Sequence, residues 1–221
     1  MIERSLSCAW HLPDITWTGS LVAQHSTRSG RKGGLKRTCL VMDGALEKLQ
    51  QAVEDAMEGL SNEDLSWHPP GKWCAAEVLE HLYLTYTGTV MGFERVLAGG
   101  KPIVHPATFR QRCRTLVVVG LGYMPQGQKS PRVALPRGMP AEKVRAEISA
   151  KIEAMDEIIA RSEESFGGRT KLLDHPILGP LTAAQWRKLH LVHSLHHVKQ
   201  LRRLRQRREQ ERATRLETDL S

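Results

Sequence analysis

The sequence predicts an all-α protein, a four-helix bundle with a long connection between its second and third helices. Two observations predict it. Four segments of similar length carry apolar residues every three or four positions, the spacing that lines one face of a helix. Three of them also open on residues that start helices, and nothing in the chain suggests a sheet. One apolar stripe per helix, buried against the others, is what a bundle requires.

The first helix runs from about Asp43 to Leu60, with Leu46, Leu49, Val53, Met57 and Leu60 three and four apart. A turn, SNEDLSWHPPGKW, follows. The second begins after Trp73, where Cys74 and Glu77 hold the positions of a capping box with cysteine in place of serine. It continues through EVLEHLYLTYTGTVMGFERVL to the pair Gly99 and Gly100. The third has Pro140 in its first turn, carries Val144, Ile148, Ile152, Met155 and Ile159 inward, and ends at Phe166 before Gly167 and Gly168. The fourth opens on a regular capping box, Thr182 with Gln185, and runs to about Arg208, with the charged run RRLRQRREQERATR able to continue it as a solvated extension. About forty residues separate the second and third helices, more than a passive connection needs. Within them TFRQRCRTLVVVG reads as a short helix or a buried extended run, and the Pro- and Gly-rich remainder as a cover over one end of the bundle.

The placement of charge argues against a nucleic-acid-binding domain. The formal net charge is +8, but much of it sits at the ends. Residues 1–41 set Arg4, Arg28, Arg31, Lys32, Lys36 and Arg37 against Glu3 and Asp14, and from Arg202 onward seven arginines face Glu209, Glu211, Glu217 and Asp219. A nucleic-acid-binding domain concentrates positive charge on a folded face. The organisation expected is an unstructured basic leader over 1–41, the bundle over 42–206 and a charged C-terminal tail over 207–221. The leader lacks periodicity and should be dispensable for the fold; a basic tether for a partner is the alternative. Cys8, Cys39, Cys74 and Cys113 form no CxxC pair, which favours a reducing compartment. No run approaches the ~18 apolar residues of a membrane span. Trp10, His11, Asp14 and Trp17 interrupt any secretory signal, so the cytoplasm is the expected location.

The chemistry is carried by histidines. In the fourth helix, QWRKLHLVHSLHHVKQLRRL, His190, His193 and His197 fall on one face beside Trp186, Leu189, Leu201 and Leu204, the stripe that should meet the core. His193 and His197 are one turn apart, so both can reach a single ion. Gln200 shares that face and can orient a ligand; His196 points to another side. A third histidine, His81, lies inside the second helix on the side of Val78, Leu84 and Thr85. Unpartnered imidazoles on an apolar stripe would incur a desolvation cost of about 1–3 kcal/mol each. Three imidazoles from two helices would leave a divalent ion with open positions, as a catalytic site requires. A hydrogen-bonded cluster of core histidines is the other reading. Glu77 either orients His81 or only caps its helix; His190 is a further candidate ligand; His68, His105 and His175, beside prolines, suit turns. There is no HExxH, which excludes a zincin-type protease helix.

With GKWCAAEVLEHL, HPILGPLTAAQW and LHLVHSLHHVKQL in view, the chain resembles the DinB/YfiT-like superfamily of bacterial four-helix-bundle proteins over about 42–206. The last motif is the most specific: a histidine, a second four later and a glutamine three beyond. The HPxxG turn, the QW helix start and the HH pair point to an uncharacterised branch. Cys74 stands where serine or threonine is usual, and the leader has no counterpart. The resemblance implies metal ligands at His81, His193 and His197, a bundle that is often homodimeric, and activities such as transfer to low-molecular-weight thiols or metal-dependent hydrolysis.

The expected function is therefore a metal-dependent enzyme, of thiol-transferase or hydrolase type, acting on a small molecule. Three nitrogen ligands suit zinc, nickel or iron better than calcium or magnesium, which want oxygen. The alternative is a non-catalytic binding or stress-response bundle with a structural or absent metal. Leu191, Leu195 and Val198 form a second apolar strip on the fourth helix, roughly opposite the histidines, which suggests a homodimer.

Overall fold

Helices form where apolar stripe and start signal coincide. In a computed structural model, which describes residues 42–125 and 130–219, four long helices make the bundle: α1 (Gly44–Met57), α3 (Ala75–Ala98), α5 (Ala141–Phe166) and α6 (Ala183–Asp219). Between them lie the short α2 (Asn62–Ser66) and α4 (Phe109–Thr115). The leader expected over 1–41 falls outside the described residues. Both capping boxes form as read. The Cys74 sulfur accepts from the Glu77 N–H at 3.4 Å while the Cys74 N–H donates to Glu77 Oε2 at 2.8 Å. Thr182 and Gln185 exchange the same pair at 3.1 and 3.3 Å. Gly167, at φ +90°, ends α5 in a conformation that a side chain would strain.

The stripes meet as a bundle requires. α3 packs chiefly on α5, and α1 chiefly on α6. Leu46, Leu49 and Val53 of α1, Val78, Leu82, Tyr86 and Phe93 of α3, and Ile148, Ile152, Met155 and Ile159 of α5 are fully or almost fully buried. Asp156 is buried with both oxygens bonded: it accepts from the Asp43 N–H at 2.7 Å and from Arg187 Nε at 2.8 Å. One carboxylate thus ties the start of α1 to α5 and α6.

Three features differ from expectation. Strands β1 (Leu173–His175) and β2 (Gly179–Leu181) form an antiparallel hairpin, with Leu173 opposite Leu181. Strands of three residues are too short for alternation to be read. Gly92 lets this hairpin reach α3, since a Cβ there would stand 2.6 Å from Leu173 Cδ2. The second difference is the length of α6, which continues past Arg208 to Asp219. Its extension is held to α2: Arg208 pairs with Glu63, and Arg212 with Asp64 at 2.9 Å. Third, Val198 is buried in the bundle, leaving only Leu191 and Leu195 of the second strip outward, with Leu195 37% exposed.

The long connection holds α4, then a wide helical turn over Leu116–Gly120, and a single tight turn at Arg132–Ala134. Its end is clamped to α3 by Glu80. That buried carboxylate accepts from the N–H groups of Arg137, Gly138 and Met139 at 2.7, 3.0 and 3.1 Å. No helix among the described residues is long and apolar enough to cross a membrane.

Candidate metal centre

The fold brings His81 of α3 against His193 and His197 of α6. His193 Nε2 lies 3.2 Å from His81 Nε2 and 3.1 Å from His197 Nε2, and one nitrogen from each of the three lies within 4.8 Å of the others. Ligands at 2.0–2.1 Å around a tetrahedral ion stand about 3.3 Å apart, close to the two short separations.

Protons decide how such a cluster can be filled. His81 Nδ1 faces the Ala134 carbonyl at 2.7 Å, an acceptor only, so this nitrogen donates and Nε2 carries the lone pair. His197 Nδ1 faces Gln200 Oε1 at 3.1 Å, which sets the same tautomer. Both lone pairs therefore aim at His193 Nε2, which can carry one proton at most. Burial holds all three imidazoles below the ordinary histidine range. It pushes His197 down to about 4, helped by His81, and holds His193 well below that range, with His197 and His81 beside it. Near pH 7 the cluster is a set of neutral nitrogens facing one another with too few protons to pair them. The donor set fits a cation.

His81 and His197 are 3% and 9% exposed, whereas His193 is only partly covered. The Trp73 ring lies 5.4 Å from that of His81.

The remaining candidates separate cleanly. His190 is buried, with Nε2 3.1 Å from the Thr89 hydroxyl and its ring stacked on Trp186 at 5.8 Å. It stands outside the cluster. Burial, with His175 nearby, pushes it to about 3. Glu77 is taken up by the cap of α3. His196 packs its ring edge on His197 but is not in the cluster. The other described histidines serve turns and pairs: His175 Nδ1 accepts from Ile177 and Leu178 N–H groups, His105 meets Asp174 at 2.7 Å, and His68 faces the Pro69 carbonyl. The Ala134 carbonyl and the Trp73 ring were not read from the sequence. A backbone acceptor fifty-three positions away leaves no residue signature, whereas Trp73, beside the cap at Cys74, was within reach.

A family model matches residues 41–204, which contain all three histidines; its description is a protein of unknown function, DUF1569. The chain belongs to this family. No curated protein matches. Among solved structures the chain is similar to YfiT from Bacillus subtilis, described as a probable metal-dependent hydrolase with an unusual four-helix bundle topology. That likeness has 15% identity and a TM-score of 0.48, covering 75% of this chain and 84% of that one. A family of unknown function is what the resemblance to an uncharacterised branch leads one to expect.

Proposed function

We propose that this protein is a metal-dependent enzyme acting on a small molecule, with one divalent ion held by His81, His193 and His197. The observation that carries the reading is the convergence of three neutral Nε2 atoms, two of them fixed as lone-pair donors by partners on Nδ1. A nitrogen-bound transition-metal ion supplies Lewis acidity, which lowers the pKa of a water or thiol so that a nucleophile is available near neutral pH.

The chain's own residues have definable tasks. The Ala134 carbonyl and Gln200 lock the tautomers of His81 and His197, and such partners commonly set ligand affinity. Burial keeps the imidazoles unprotonated, the form that ligates. Zinc, nickel and iron suit this donor set, and hydrolysis and thiol transfer both use the nucleophile it would provide.

The test is elemental analysis of the dialysed protein, then assays of ester and amide hydrolysis and of thiol transfer to small electrophiles. About one ion per chain is expected, with activity lost on chelation and restored by the same metal. Stoichiometric metal in the triple-alanine variant of His81, His193 and His197 would overturn the assignment.

A further inference from the structure

A groove of about 750 Å³ runs along α6; none of the three cluster histidines lines it, but His196 and Gln200, which both contact His197, do. Its floor is aliphatic, with Leu191, Val192, Leu195 and Leu204, and its rim carries Lys72, Lys188, Lys199, Arg203 and Arg207. No carboxylate lines it among the described residues. The ion pairs of α6 go instead to Arg187, Arg205, Arg208 and Arg212. Lys199, Arg203 and Arg207 are each four apart, a like-charge spacing that destabilises a helix. Helix stability therefore does not account for them. Gln200 lines this groove and also accepts from His197 Nδ1, so the groove and the cluster share a wall.

We propose that the groove binds a small molecule bearing two or more negative charges on an apolar body, and that this is the substrate's seat beside the histidine cluster. The second clause rests on the metal-dependent reading; the first does not. The volume is that of a small-ligand site. The floor argues against single-stranded nucleic acid, which needs stacking platforms, since Tyr123 is the one aromatic side chain besides His196 among the lining residues described.

Calorimetry on the full chain tests this with 2-naphthyl phosphate at pH 8, against 2-naphthol, which lacks the charge, and inorganic phosphate, which lacks the body. One molecule per chain should bind at least about tenfold tighter than either control. The pair K199E and R203E should weaken it by about tenfold or more with the wild-type circular dichroism spectrum intact, and L195E should do the same through the floor. Binding that survives exhaustive chelation and falls in the charge variants supports the groove, even if the protein proves to hold no metal. Binding abolished by chelation but unchanged in K199E/R203E places the phosphate on the ion; the groove proposal then fails while the metal reading stands. A dimer that L195E converts to monomer, with no naphthyl phosphate bound by the wild type, would show the groove to be a subunit interface and overturn the proposal.

Discussion

His190 and the pair His193–His197 occupy the same face of the same helix, one turn apart, yet end in opposite situations. α3 runs antiparallel to α6 here, so that His81 meets His193, Tyr86 meets Ser194 at 2.7 Å, and Thr89 meets His190. Where α3 offers a hydroxyl, the imidazole is bonded through Nε2 and sealed in the core, its Nδ1 without a partner among the described residues. Where it offers another imidazole, lone pairs converge and one ring stays partly open. The helix periodicity is common to both; the residue facing it across the bundle makes the difference.

That contrast can be broken most directly through metal content. Alanine at His81, His193 or His197 should each reduce bound metal from about one per chain to near zero, whereas His190→Ala should leave it unchanged. Loss of metal in His190→Ala would erase the distinction. Stability should answer in reverse. In metal-free protein, His190→Ala opens a buried cavity and should cost about 2–4 kcal/mol in urea unfolding, by analogy with other large-to-small core changes. His193→Ala, at a partly open position, should cost less than about 1 kcal/mol.

Acid sharpens the same comparison. The folded value of His190, about 3, and that of His197, about 4, lie below the 6.5 of an unfolded chain. Above pH 6.5 neither state binds the proton and stability is unaffected. Below it the unfolded chain takes up protons that the folded chain refuses, so stability falls with pH, by about 1.4 kcal/mol per unit for each imidazole. The loss should continue down to about pH 4 for His197 and pH 3 for His190. His190→Ala should flatten the dependence of urea stability on pH between 6 and 4 by one proton's slope; an unchanged slope would contradict the burial of that ring. The smallest effect concerns tautomer control. Gln200→Leu removes the partner of His197 Nδ1 and should weaken metal affinity about 10–100-fold in chelator competition. Thr89→Val, the matching change beside His190, should leave it unaltered.

Much of this was legible in the chain. Both capping boxes, the ends of α5 and the placing of His193, His197 and Gln200 on one face depend on residues within four positions of each other, and local spacing reports local geometry. The hairpin was missed because three-residue strands have no period. The charged run after Leu201 allowed a solvated extension of α6, but its anchoring to α2 was hidden because Glu63 and Asp64 are remote in sequence. The sequence by itself determined the four helices, their inward faces and which imidazoles each carries, because backbone hydrogen bonding and side-chain periodicity repeat within one turn. Only the tertiary structure decided that His81 meets His193 rather than a hydroxyl, that the Ala134 carbonyl fixes its tautomer, and that Glu80 clamps residues 137–139 beyond that carbonyl. Those contacts join positions more than fifty residues apart, and their distances follow from how the helices pack, which no local spacing encodes.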